Sequence, residues 1–210
     1  MNSKFITFAV TLLILLGIAA AGFLVYRNLT KPAAEGGYVP ESSEPQKEEP
    51  QEQETILVKN DFTIVLPVGW QEAISNADVL MVAIDDREEI DRAKLGGIDF
   101  RTNFSVKADD MSQYNKVQNM QDYVNSVKTS LIQMIPGIQF ASEEEGTIDG
   151  RPAVFVECRS TQQNINFETL LVFIEGNYDE VWAISFNTLE DSRTNYRDAF
   201  YQIARSFKLK

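Results

Sequence analysis

The chain has 210 residues, with 19 Lys and Arg against 31 Asp and Glu for a formal net charge of −12, one Cys and no His. The lack of His removes the Ser-His-Asp and Cys-His catalytic pairs and the imidazole ligands of most zinc sites, and a single Cys cannot close an intramolecular disulfide. The acidic balance excludes nucleic acid as an expected partner, because that affinity comes from Lys and Arg displacing counterions from phosphates.

From Phe5 to Val25 run 21 residues without a charge. At ~1.5 Å per residue a helix of this length spans roughly 31 Å, matching a hydrocarbon core of about 30 Å. The segment is therefore expected to be a transmembrane helix in contact with the lipid bilayer through residues 5–25. Ala19-Ala20-Ala21 before Gly22 has the small residues of a signal-peptide cleavage site, but Phe23, Leu24, Val25 and Tyr26 carry the apolar run past it, so an uncleaved anchor is expected. Flanking positive charges are balanced, with Lys4 and the α-amino group on one side and Arg27 and Lys31 on the other. Residues 1–31 form the anchor with its short flanks.

Residues 32–54 hold Pro32, Pro40, Pro45 and Pro50 and seven Glu against Lys47, a net −6 with almost nothing apolar. This composition predicts a disordered spacer. As a flexible coil it would span about 25 Å and as extended polyproline II about 70 Å. Residues 55–210 then suffice for one globular domain with a single core.

Within that domain the period-two pattern predicts one or two short strands over Ile56–Leu66, broken at Asn60-Asp61 and ended by Pro67, with a turn at Gly69-Trp70. Val79–Ile84 reads as a second apolar strand. Ile98–Val106 reads as a third, with Ile98, Phe100, Phe104 and Val106 on one face. Met120, Tyr123, Val124, Val127, Leu131 and Met134 then fall on one helical stripe, with Asn119 as N-cap and Pro136-Gly137 as the stop. Four strands follow. Phe140–Ile148 leads through the hairpin dipeptide Asp149-Gly150 into Pro152–Cys158, where Val154, Val156 and Cys158 share a face. Phe167–Ile174 is apolar on both faces and should be central, and Val181–Phe186 returns after Gly176-Asn177 with Trp182, Ile184 and Phe186 on one face. Asp191 or Ser192 is placed to cap a final helix in which Tyr196, Phe200, Ile203 and Phe207 recur on one stripe. The expected architecture is α+β, an antiparallel sheet covered by a helix on each face as an α/β/α sandwich, preceded by the transmembrane helix.

The order of these landmarks resembles the PsbP-like domain family. The resemblance rests on Asp61–Pro67 leading to Gly69-Trp70, the helix from Met120 through Tyr123-Val124 to Ile135-Pro136, the Ile148–Ala153 hairpin and the helix running into Ser206-Phe207-Lys208. It implies a non-catalytic domain outside the cytoplasm that docks on a membrane complex and, in the photosynthetic case, helps retain its inorganic ions. This chain departs from that case in having no His to match a metal ligand and an anchor where the photosynthetic protein has a transit sequence.

Residues of possible chemistry have plainer readings. Asp85-Asp86-Arg87-Glu88-Glu89-Ile90-Asp91 concentrates five carboxylates, but lacks the alternating spacing and central Gly of a calcium loop, and is expected to be a solvated connection. The same holds for Asp109-Asp110 and for Glu143-Glu144-Glu145. Cys158 reads as a small buried hydrophobe. Gly36-Gly37 and Gly96-Gly97 read as turns, and Trp182 as core. Trp70 fits either core or an interface anchor. Asn28-Leu29-Thr30 and Asn103-Phe104-Ser105 match the glycosylation triplet, the one beside the membrane and the other in a predicted strand. No catalytic, cofactor-binding or metal-binding residue is expected. The functional expectation is a single-pass, membrane-tethered, extracytoplasmic binding or assembly module that docks on a protein complex at the membrane. A surface-anchored carboxylate-dependent hydrolase is the alternative, and it requires a cleft with two convergent carboxylates.

Overall fold

Two-residue hairpins set the register of the central sheet. Asp149 and Gly150 both adopt positive φ (52° and 77°), the backbone of a type I′ turn, and join β6 (Gln139–Ile148) to β7 (Arg151–Gln162). Gln163 and Asn164 repeat the device (51° and 63°) between β7 and β8 (Ile165–Glu175), so those strands run several residues beyond the apolar stretches read from sequence. The chain is seen here in a computed structural model that describes residues 53–210 apart from 76–78, 90, 92, 94 and 99. The anchor (5–25), nearly all of the spacer (32–52), Gly36-Gly37 and Asn28-Leu29-Thr30 lie outside the described residues. Among the described residues no helix is long and apolar enough to cross a membrane.

The remaining elements are β1 (Thr55–Val58), β2 (Phe62–Leu66), β3 (Trp70–Ala73), β4 (Met81–Asp85), β5 (Asn103–Asp110), α1 (Met120–Met134), β9 (Glu180–Leu189), α2 (Arg193–Arg205) and β10 (Lys208–Leu209). A seven-stranded sheet has the order β3-β4-β5-β9-β8-β7-β6, and a three-stranded sheet the order β1-β2-β10. All pairings are antiparallel.

Alternation divides the large sheet into two apolar faces. Val154, Val156 and Cys158 of β7, Leu171 and Phe173 of β8 and Ala183 of β9 pack against Tyr123, Val124, Val127 and Leu131 of α1. Their neighbours Phe155, Val172, Ile184 and Phe186 pack on the opposite face against Phe200, Ile203 and Ala204 of α2. Phe62, Ile64 and Leu66 of β2 share that second face, so the small sheet completes the layer that α2 begins. The expected sandwich of helix, antiparallel sheet and helix is thus observed, with a second small sheet beside α2. Asn119 caps α1 by accepting from Asp122 N at 2.9 Å, as its position in the sequence predicts.

Three local expectations are corrected. Trp70 begins an edge strand instead of sitting in a turn, because Gly69 takes the positive φ (81°) that the reversal needs. The Ile98–Val106 strand starts only at Asn103. Phe104 and Val106 enter the main core, whereas Ile98 and Phe100 join a separate cluster with Leu95, Ile165 and Phe167. At the start of α2, Ser192 occupies the cap position without a side-chain capping bond, after a short 3-10 turn over Glu190–Ser192. The helix ends at Arg205, and Phe207 reaches the core from beyond it, stacking on Phe62 at 5.3 Å.

Candidate functional site

On the α2 face, β7 and β8 each present a carboxylate under the helix. Glu157 of β7 alternates with Phe155, and Glu168 of β8 alternates with Leu170, so both point toward α2. The helix answers with Arg193, Arg197 and Tyr201, four residues apart and therefore on one stripe. Glu157 accepts from Arg197 Nε at 2.8 Å and the Tyr201 hydroxyl at 3.1 Å on Oε1, and from Arg193 Nη2 at 3.0 Å on Oε2. Glu168 meets Arg159 Nε at 2.7 Å and, on its other oxygen, Arg193 Nε at 3.5 Å. Arg193 thus bridges the two carboxylates. Glu157, Glu168, Arg193, Arg197 and Tyr201, with Thr188 and Phe200, line a crevice of about 20 Å³, room for a single water.

The two carboxyl groups are displaced in opposite directions. Burial pushes Glu157 up, but the Tyr201 hydroxyl and the Arg197 and Arg193 guanidiniums outweigh it and hold the group below the usual carboxylate value. At Glu168 burial wins over Arg193 and Arg159, and the group lies above that value. Burial, reinforced by Glu157, raises Tyr201 to about 12. A split pair of this kind is what acid-base catalysis uses. Here, however, all four carboxylate oxygens face a guanidinium, and the crevice has no room for a sugar ring between the two groups. The arrangement fastens the first half of α2 to the sheet.

A second polar group adjoins it. The expectation that Asp85–Asp91 is a solvated loop fails at two positions. Asp85 is buried at the end of β4, where it accepts from Arg87 N at 3.0 Å and the Tyr196 hydroxyl at 3.0 Å. Glu88 folds inward onto Thr102, accepting from its backbone N and from its hydroxyl at 3.0 Å, and Thr102 Oγ1 meets Thr188 Oγ1 at 2.8 Å. Desolvation raises Glu88 above the ordinary carboxyl value despite those bonds. Asp109 accepts from Tyr114 and Tyr123 at 2.6 and 2.7 Å, so it too serves the interior rather than solvent.

The other residues singled out from sequence fall as follows. Glu143 pairs with Lys128 at 2.6 Å, tying α1 to the edge strand β6, while Glu144 and Glu145 are exposed. Cys158 is buried, and desolvation pushes its thiol up to about 12. Trp70 and Trp182 are both core; Trp70 packs on Phe104, Tyr196 and Phe200. Asn103 is buried and accepts from Asn187 Nδ2 at 3.1 Å, which closes it to glycosylation in the folded chain. Among the described residues no group of three or more His, Cys, Asp or Glu is arranged to hold a metal ion. Glu157, Glu168, Arg193 and Arg197 were not singled out from sequence, although a Glu beside the apolar run of each of two strands and an Arg-x3-Arg step on the last helix are visible signals.

No protein-family model matches the chain, and no curated protein does. Solved structures do. The solution structure of cyanobacterial PsbP (CyanoP) from Synechocystis sp. PCC 6803 superposes with a TM-score of 0.57 at 15% identity, over 80% of this chain and 98% of that one. The fold is PsbP-like. Two further structures share it: the Ran-binding protein Mog1p of Saccharomyces cerevisiae (TM-score 0.53, 14% identity, 76% of this chain and 96% of that one) and LpqN, involved in cell envelope biogenesis of Mycobacterium tuberculosis (0.52, 11%, 75% and 91%). At such identities the likeness carries the arrangement of this PsbP-like domain's elements and no residue role.

Proposed function

We propose that the PsbP-like domain is a non-catalytic docking module, held outside the cytoplasm by a single transmembrane anchor at residues 5–25 and spaced from the bilayer by residues 32–54, that binds a membrane-associated protein complex. The observation that carries this reading is the loop between β8 and β9. Tyr178 stands there 98% exposed with φ 58°. A non-Gly residue in that conformation costs about 1–2 kcal/mol, and such strain is retained where the surroundings over-determine it. The surroundings here are Arg151, which donates to Gly176 O and to Asn177 Oδ1, both at 3.0 Å, and the Gly176 N to Glu180 O bond at 2.8 Å. A large aromatic ring offered to solvent on a clamped loop is the kind of side chain that anchors protein interfaces. Mog1p, which shares the fold, is itself described as a binding protein. The hydrolase alternative draws on the convergence of Glu157 and Glu168, and their pairing with arginines argues against it.

A photoreactive residue at position 178 of the full chain, irradiated in its own membrane, should repeatedly yield one crosslinked protein, and the same residue at Gln202 on α2 should not. Irradiation that returns no recurrent product from position 178 would refute the docking assignment. A periplasmic reporter fused after Lys210 tests the placement independently, since activity only from a cytoplasmic reporter would overturn it.

A further inference from the structure

The charge of this chain is segregated. Residues 193–210 carry Arg193, Arg197, Arg205, Lys208 and Lys210 against Asp198, a net +4, whereas residues 55–192 hold ten Lys and Arg against 23 Asp and Glu, a net −13. The basic segment is one continuous feature of the fold. Arg193, Arg197, Tyr201 and Arg205 follow one another at intervals of four along α2, and the chain then passes directly into β10 with Lys208. Arg193 and Arg197 are committed to Glu157. Arg205 lies over the Tyr201 ring at 5.6 Å, and neither it nor Lys208 forms an ion pair among the described residues; both are exposed. The second half of α2 and β10 therefore present uncompensated positive charge on a domain that is otherwise strongly negative.

We infer that residues 32–54 of the same chain dock across this basic face. The segment nets −6, so the strongly negative remainder of the domain repels it and the basic α2–β10 face attracts it. Its attachment point is suited to this. It enters the fold at Thr55 in β1, which pairs with β2, and β2 pairs on its other side with β10. The face is short, since the 13 residues of α2 rise only about 20 Å, whereas 23 residues reach up to ~75 Å when extended. Covalent connection supplies an effective concentration of order millimolar, enough for a weak multi-charge contact to be occupied. The inference does not depend on membrane anchorage or on an external partner, and an acidic partner for this face would have to displace the segment.

Limited digestion of the detergent-solubilised full chain with a glutamate-specific protease tests it. At about 0.01 M salt, where the screening length is ~30 Å, cleavage after Glu35 and Glu41 should be several-fold slower in the natural chain than in the Arg205→Glu, Lys208→Glu double variant. At ~1 M salt, where that length is ~3 Å, the two should be cut at equal rates. A second variant leaves the folded domain untouched: Glu48→Gln, Glu49→Gln and Glu52→Gln together should speed cleavage after Glu35 and Glu41 at low salt. Zero-length carbodiimide coupling should join Lys208 or Lys210 to glutamates of 41–52 within one chain. Equal low-salt rates for the natural chain and both variants would overturn the inference, as would couplings found only between isotopically distinguished copies, or slow cleavage that depends on added anionic vesicles.

Discussion

Removing Glu157 tests whether the crevice is the fastening its geometry implies. Glu157→Ala deletes the acceptor of three hydrogen bonds, two of them from guanidiniums, and bonds to charged groups contribute about 1.5–3 kcal/mol each when desolvated. The Arg193 and Arg197 side chains are 34% and 46% exposed and regain water on losing their partner, so their share is discounted. A net loss of about 3 kcal/mol is expected, lowering Tm by roughly 6–12 °C for a domain of this size. Glu157→Gln keeps one acceptor oxygen for Arg197 and Tyr201 and should cost about 1 kcal/mol at pH 7. The pH dependence carries a definite sign. Because the folded state holds Glu157 below the ordinary value of 4.5, its ionic contribution is complete above that value and is lost as pH falls through the lower folded one. The gap between the natural chain and Glu157→Gln should therefore close toward pH 3. Glu168, raised in the fold, acts oppositely, favouring the native state more as pH falls from its folded value to 4.5. Trp70 and Trp182, both buried, report unfolding by fluorescence. A Glu157→Ala variant within 1 kcal/mol of the natural chain at pH 7 would refute the fastening, as would a Glu157→Gln gap that persists at pH 3.

Phe200 stacks between Phe186 at 5.0 Å and Tyr196 at 5.9 Å and touches Trp70 edge-on; Phe200→Ala should cost about 3–5 kcal/mol in urea titration, and a loss below 1.5 kcal/mol would remove α2 from the core. The Cys158 thiol, raised from 9.0 to about 12, should react with a disulfide reagent at pH 8 about a thousandfold more slowly in the native chain than in urea, and comparable rates would place it at the surface. Gly150 has φ 77° and open space where a Cβ would stand, so Gly150→Ala should cost about 1 kcal/mol from backbone conformation alone. No measurable loss would mean that the turn is not type I′.

The parts of the fold legible in sequence are those in which a local signal and tertiary packing agree. Asn119, the Tyr123–Leu131 stripe and Pro136-Gly137 define α1 to the residue, because cap, apolar period and terminator are all local. Asp149-Gly150 announces its hairpin for the same reason. Gln163-Asn164 does not, since a Gln at positive φ is held there by the strands it joins and advertises nothing of its own. Ile98 and Phe100 misled by continuing the alternation of Phe104 and Val106, although the chain crosses to a separate cluster between them. The Asp85–Asp91 run misled by composition. Whether a carboxylate in such a run is solvated depends on what lies above it, and for Asp85 that is Tyr196 from the far end of the chain.

Helix α2 explains why the candidate site was the least legible part. Its apolar stripe, Phe200 with Ile203 and Ala204, is readable as a core face, but Arg193, Arg197 and Arg205 look alike in sequence and have different fates in the fold. The first two lie over β7 and β8, where Glu157 and Glu168 wait; the third has passed the last of those carboxylates and faces solvent. This division follows from strand register, which places Glu157 opposite Leu170 and Phe155 opposite Val172, and no local property of the helix encodes it. One consequence is mechanical. Lifting the start of α2 from the sheet would strand two carboxylates and also expose Phe200, so the helix is held at once by ionic and apolar contacts.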